Sequence, residues 1–485
     1  MRRRAWLAVA AVLAVTLAGC TRTTPTLSSI PSGPATPAPT VSAPPGPPGP
    51  GADGIGDSYY PRAGNGGYDV GNYDLDVGYD PAGRTLTGRA TITATATGNL
   101  TRFDLDFTGL DTSSITIDGA AAQFEQRDDG ELVVTPAGTL AAGSTFTTVV
   151  TYSGHPRGYA DPALGQTGFL ATTDGAIAIG EPEIAATWFP VNDHPRDKAT
   201  YTIRISAPSG LSALSNGVLV SRENSARAGF TTWTWRISSP MAPYLATMVV
   251  GNYRVHESTH EGLPVIIAVD TSLSRDIDDV LARTPEVIDY LETVFGPYPF
   301  DALGGIVVDD ARIGFALENQ TRPVYAGGFF EGGGGVSALA HELAHQWFGD
   351  SVSVHDWSEI WLNEGFATYA EWLWEEHTGG RTAQATFNDI YAGGFGGWDV
   401  APGAPGRAAL FSGAVYVRGG LTLHALRVTV GDNAFFRILK EWTARKKDSS
   451  ATTAEFIALA EEISGSQLDT LFQEWLYDTD RPPRP

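Results

Sequence analysis

The 485-residue sequence predicts an α+β protein of more than one domain, with an antiparallel β-domain of saddle or sandwich type followed by a mainly helical one. Three observations carry this reading. Period-two alternation runs from about residue 66 to 253, helical periodicity takes over beyond about 270, and a Pro-rich stretch separates both from the N-terminus. A hydrophobic content of 42% with 18% charged residues is the composition of a globular chain with room for two or three cores. The formal charge of −23 argues against nucleic acid or any partner held through phosphates.

The β-domain is assigned to residues 59–254. "YDLDVGYD" sets Tyr73, Leu75, Val77 and Tyr79 against Asp74, Asp76, Gly78 and Asp80, the pattern of a half-buried strand. "PAG" (81–83) turns the chain, and "ATITATAT" alternates again through Ala90, Ile92, Ala94 and Ala96. "FDLDF" (103–107), "SITIDG" (114–119), "TFTTVVTY" (145–152), "ATYTIRIS" (199–206) and "TTWTWRIS" (231–238) repeat the theme between turn residues.

Residues 255–485 form the second domain. "DIDDVLARTPEVIDYLETVFG" aligns Ile277, Val280, Leu281, Val287, Ile288, Leu291 and Val294 on one helix face, ending at Gly296 and Pro297. "LGGIVVDD" (303–310) reads as a strand, and "RIGFALENQTRPVYA" holds another. Three or four helices follow, one opened by Thr452 and Glu455 in capping-box register.

The N-terminus reads as an address. "MRRRAWLAVAAVLAVTLAGC" has a basic start, an apolar run too short to span a bilayer comfortably, and small residues up to Cys20, the single cysteine of the chain. Residues 1–19 are expected to be a cleaved signal peptide. "LAGC" resembles the lipobox of bacterial lipoproteins, which implies a lipidated Cys20 and an exported protein anchored on the outer face of the cell membrane. An ordinary signal peptide with an incidental cysteine is the alternative. With one cysteine no intrachain disulfide can form. Residues 20–58 then read as a lipid-bearing cysteine and a disordered tether, because their prolines, serines, threonines and glycines cannot bury a core.

The chemistry lies in "HELAHQWFGDSVSVHDWSEIWLNEGFA" (341–367). Residues four apart on a helix share a face, so His341 and His345 can converge on one ion at Zn–N distances of ~2.0–2.1 Å. The helix is expected to end at Gly349. "SEIWLNEGFATYAEWLW" is itself helix-like, so Glu364 can reach the same ion from a second helix. Two histidines and a glutamate leave one coordination place open for water, the arrangement of a catalytic zinc site with a single ion. Glu342 follows the first ligand at ~100° around the helix and is placed as the general base.

These motifs closely resemble the gluzincin aminopeptidases related to aminopeptidase N and the leukotriene epoxide hydrolases. "HELAHQWFGD" and "WLNEGFA" with 18 residues between His345 and Glu364, "GFALENQTRP" (314–323), "GEPEIAATWFPVNDHPRDKATY" (180–201), "FGPYPF" and "YVRGG" (416–420) occur in that family's order over most of residues 66–480. The resemblance implies a thermolysin-like catalytic domain after the β-domain. It implies that Glu318 and Glu181 bind the substrate's α-ammonium, that Asn319, Ala316 and Leu317 border the substrate, and that Tyr416 supports the oxyanion. Without it, Glu181 could be a surface glutamate before a proline and Tyr416 a half-buried core ring. Phe315, Leu317 and Glu359 depart from the family's usual residues, which leaves the side-chain preference open. The chain ends at "WLYDTDRPPRP", where the catalytic domain closes and the family's large C-terminal helical domain does not follow, so a more open site is expected.

The function expected is therefore a zinc-dependent aminopeptidase acting on peptides with a free N-terminus. A surface binding protein with a degenerate metalloprotease fold, or a zinc epoxide hydrolase, is the alternative. Of the remaining histidines, His355 is the one near enough to the motif to be examined as a ligand.

Overall fold

Strand Tyr68–Asp80 buries Tyr68 and Val70, then Tyr73, Leu75, Val77 and Tyr79. The phase slips once, at a bulge between Val70 and Asn72 where Gly71 sits, and alternation then resumes on the same face. This strand lies inside an eight-stranded sheet of order Val218–Asn224, Phe230–Met241, Ala199–Pro208, Tyr68–Asp80, Thr85–Ala96, Thr145–Gly154, Asp111–Ile117 and Ala120–Ala121. Every pairing in it is antiparallel except one, where Thr200–Ser206 run parallel to Asn72–Gly78. The structure, a computed structural model, describes residues 47–161, 163–333 and 335–485. The signal peptide, Cys20 and most of the expected tether lie outside the described residues.

A second layer covers the apolar face. It consists of a four-stranded sheet containing Leu100–Asp106 and a five-stranded sheet containing Gly165–Ala171. Aromatic side chains join the layers: Tyr68 meets Phe103 at 5.4 Å between ring centroids, Tyr79 meets Phe169 at 5.3 Å, and Tyr73 meets Phe189 at 5.6 Å.

The tether ends earlier than residue 58. Gly49–Pro50 pair in parallel with Leu100 and Arg102, and Asp57 is 2% exposed. Its carboxylate accepts from the backbone N–H of Tyr59, Tyr60 and Trp357 and faces His194 Nε2 at 3.1 Å. The reason is local: "GADGIGDS" (51–58) contains no proline, and Asp57 satisfies backbone donors from both domains.

The second domain opens with a five-stranded mixed sheet, in the order Tyr253–His260, Leu263–Asp270, Leu303–Val308, Val324–Ala326 and Ala316–Leu317. The helix expected across 276–295 is two, Asp276–Leu281 and Thr284–Phe295, because Pro285 fits the first turn of a new helix and not the interior of a continuous one. Thr452 and Glu455 form the expected capping box on the helix Thr453–Ser464. Hydrogen bonds cross between the domains beside the zinc motif. Lys198 Nζ donates to the carbonyls of Asp350 and Ser351 at 2.7 and 2.9 Å, and Arg196 donates twice to the carbonyl of His355.

Candidate active site

Helix Val336–Ala344 carries His341 and Glu342, and His345 follows as its C-cap residue with helical dihedrals. The helix stops before Gly349 because Gln346 and Trp347 bond back three residues, tightening the last turn. His345 keeps its place on the face of His341 all the same. Gly349 then reverses the chain at φ +127°. Glu364 comes from the first turn of the next long helix, Trp361–His377.

The three side chains converge. His341 Nε2 lies 3.2 Å from Glu364 Oε2, and His345 Nε2 lies 3.5 Å from the same oxygen. Tetrahedral ligands bound at ~2.0–2.1 Å stand ~3.4 Å apart, so these donors fit one zinc ion. The outer nitrogens fix the tautomers: His341 Nδ1 is 2.8 Å from Glu371 Oε1, and His345 Nδ1 is 2.9 Å from the carbonyl oxygen of Phe348. Each ring thus turns its Nε2 inward, towards Glu364. Burial would raise Glu364, yet His345 and His341 hold it at about 2. Burial works against charge on His345, and Glu364 and Glu318 outweigh it, lifting the group to about 9.

Glu342 is buried and lifted to about 7 by desolvation, against the pull of His341 and His345. That is the range of an effective general base at neutral pH. Tyr416 lies in a π-turn, Ala414–Arg418, with its ring 6.0 Å from that of His341 and nearly parallel to it. Burial, then Glu364 and Glu181, push its hydroxyl well above the usual range, so it stays a proton donor. Arg418, fully buried, anchors the turn by donating to the carbonyls of Trp475, Trp398, Glu474 and Asp478.

Glu318 follows the edge strand Ala316–Leu317, which pairs with Val324–Tyr325. Tyr244 of the β-domain donates to Glu318 Oε1 at 2.7 Å. Glu181, 4% exposed, leaves Oε2 without a partner, and burial followed by Glu318, Glu364 and Glu342 pushes its carboxyl well above the ordinary range. Asn319 is turned into the protein, where Nδ2 donates to the carbonyl of Leu245 at 2.8 Å and ties this segment to the β-domain. Leu317 is buried and Ala316 half-buried on that same edge. Glu359 accepts from the backbone N–H of Thr453 and braces the second helix from outside the site. His355 is not a ligand: its Nδ1 faces Ser450 and its carbonyl serves Arg196.

Sequence reasoning passed over four contributors. Glu371 lies two helical turns beyond Glu364, a spacing that could have revealed it. Gln346 clamps the Glu318–Thr321 segment to the helix of His341, donating to the carbonyl of Glu318 at 2.9 Å and accepting from Thr321 N at 2.7 Å. Gly365 and Gly419 touch backbone to backbone, a Cβ on Gly365 falling 2.9 Å from Gly419 Cα. No sequence pattern pairs those two glycines.

Two histidines and a glutamate converging as ligands for one zinc ion, with a buried glutamate beside the first and a β-domain packed against them, have the arrangement of a gluzincin metallopeptidase. The comparisons agree: residues 70–245 match the peptidase M1 N-terminal domain and residues 280–393 the peptidase family M1 domain. The chain belongs to peptidase family M1. It is 30% identical to a two-domain M1 zinc metallopeptidase solved with L-tryptophan, covering 89% of this chain and 99% of that one with a TM-score of 0.82. The Deinococcus radiodurans M1 zinc metallopeptidase, solved with a Tyr-Ser-Ala substrate, is 29% identical at a TM-score of 0.81, covering 89% of this chain and 98% of that one. Glutamyl aminopeptidase of Sus scrofa is 29% identical over 64% of this chain and 35% of its own length. Aminopeptidase N of Streptomyces lividans is 27% identical over 59% and 36% respectively. The chain thus spans about a third of the length of these curated relatives.

Proposed function

We propose that the protein is a zinc aminopeptidase that removes the N-terminal residue from peptides. The observation that carries this is the position of Glu318, which brings a carboxylate oxygen within 4.8 Å of the ligand atoms of both Glu342 and His345. An acidic anchor so close to base and metal ligand leaves room for one residue between a bound α-ammonium and the bond to be cut. Zinc on His341, His345 and Glu364 would supply Lewis acidity, lowering the pKa of water towards ~7.

The protein's own groups do the rest. Glu318, held by Tyr244, and the unpartnered Glu181 accept charge-assisted hydrogen bonds from the ammonium. Glu342 takes the proton from the attacking water and returns it to the leaving amine. Tyr416 donates its hydroxyl to the developing oxyanion. Aminoacyl fluorogenic amides, each assayed beside its N-acetylated twin with and without chelator, test the reading. Chelator-sensitive release from free-amine substrates alone is expected. Equal turnover of acetylated substrates would overturn it.

The proposal extends to location. Export and lipid attachment at Cys20 rest on the "LAGC" sequence, and among the described residues no helix is long and apolar enough to cross a membrane. Cys20→Ala should release the protein from the membrane fraction; a variant still retained there would dismiss the anchor.

A further inference from the structure

A cluster of acids in the β-domain has no part in the chemistry above. Strands Leu100–Asp106 and Glu131–Thr135 run antiparallel with Asp106 directly opposite Glu131. Like charges so placed destabilise a sheet. The segment 183–193 closes over them. Asp193 N donates to Asp106 Oδ2 at 2.7 Å, and Asp193 Oδ2 accepts from Ala186 N at 3.0 Å. The result is a cavity of about 290 Å³ lined by Asp106, Asp128, Asp129, Glu131, Glu183 and Asp193, with the basic side chain of Arg62 on the same wall.

Arg62 offsets little of this charge. It is half exposed, and its Nη2 donates to the carbonyl of Asp129 at 2.8 Å, 3.1 Å from Asp129 Oδ2 and 3.6 Å from Glu131 Oε1. Glu131 and Asp193 are 3% and 1% exposed. Glu131 Oε2 and Asp193 Oδ1 have no hydrogen-bond partner among the described residues, whereas buried acceptors are ordinarily paired. Burial lifts Glu131 to about 7, with Asp104, Asp129 and Asp53 adding to it against Arg62. Burial likewise lifts Asp193 to about 8, helped by Glu183, which itself faces Arg407 of the second domain.

The geometry selects the kind of cation. Among the described residues, three metal-ligand atoms from separate side chains gather within 4.8 Å only in the active site, so these carboxylates do not encircle a bare metal ion. Two ammonium groups on a short flexible chain reach separated oxygens, and each makes charge-assisted hydrogen bonds there. We propose that this cavity binds a small organic diammonium ion, which bridges Glu131 on the sheet and Asp193 on the segment that closes it. Both carboxyls ionise to receive the ion. Binding therefore expels protons and tightens as pH rises through about 7 and about 8.

Full-length protein titrated calorimetrically with putrescine should bind one ion at this site, and butylamine roughly tenfold more weakly. Glu131→Gln and Asp193→Asn should each weaken putrescine roughly tenfold or more, and Glu318→Gln should leave this event in place. The parent protein supplies a second readout that does not depend on how a variant folds. Its affinity should rise with pH, and heats in buffers of different ionisation enthalpy should report the released protons. Binding lost in Glu318→Gln but kept in the other two variants would assign the diamine to the active site and overturn the proposal. No binding at millimolar putrescine, an affinity flat with pH, or displacement by an equal concentration of calcium would overturn it as well.

Discussion

Glu371 Oε1 lies 2.8 Å from Nδ1 of His341, and Ser337 Oγ donates to its other carboxylate oxygen. The long helix Trp361–His377 thus brings two carboxylates to His341, Glu364 facing its Nε2 and Glu371 its Nδ1. Glu371→Gln should keep the fold and weaken zinc binding by about 10–100-fold. Competition with a chelator of known affinity measures this, and an unchanged zinc affinity would dismiss the role.

The helix Trp361–His377 and the helix Gly419–Val430 meet at Gly365 and Gly419, where an added Cβ on Gly419 would fall 2.7 Å from Gly365 Cα. Backbone on both sides cannot yield, so Gly365→Ala should force the helices apart. It should cost about 1–3 kcal/mol of stability although alanine favours a helix. Because Glu364 precedes this contact and Tyr416 lies just before Gly419, kcat should fall as well. Urea midpoints and steady-state rates on one preparation decide; a variant as stable and active as the parent counts against the packing argument.

Tyr416 is held as a neutral donor by burial and the surrounding acids. Tyr416→Phe should lower kcat by about 10²–10³-fold, corresponding to ~2.7–4 kcal/mol, with KM little changed. A rise in KM alone would mean that the tyrosine binds substrate and does not stabilise the oxyanion.

Burial raises the Asp193 carboxyl to about 8, with Glu183 adding to it against backbone N–H groups of Ala186 and Ala185 that lower it. Asp106, half-buried, and Glu131 face the same small acidic cavity, with Arg62 as its cation. A carboxyl whose folded pKa lies above its unfolded value of 3.8 contributes stability that is fully present below that value. The contribution is lost as pH rises through about 8. Urea midpoints of the parent should therefore fall as pH rises from about 4 to about 8. Asp193→Asn should show a smaller fall; an identical pH dependence would exclude Asp193 as its source.

Much of the catalytic set was legible in the linear chain because its residues sit at helical spacing or in short motifs. His341 and His345 share one face of a helical stretch, so local geometry aims those two at a common ion, and the motif around Glu364 marks the third candidate on the next helix. The alternation of Tyr73, Leu75, Val77 and Tyr79 likewise declared a strand, since side-chain direction in an extended chain is set by period two. The tether is shorter than composition averaged over a window suggests, because a single buried carboxylate, Asp57, takes hydrogen bonds from Tyr59, Tyr60 and Trp357.

By itself the sequence determined which elements form, which residues can bind zinc, and which glutamate stands beside the first ligand. Tertiary structure alone decided that Tyr244 reaches Glu318 across 74 positions, that Gln346 ties Glu318 to the zinc helix, and that Gly365 lies against Gly419. These relations depend on how two domains and several helices dock, and docking is settled by the fit of distant surfaces that no local periodicity encodes.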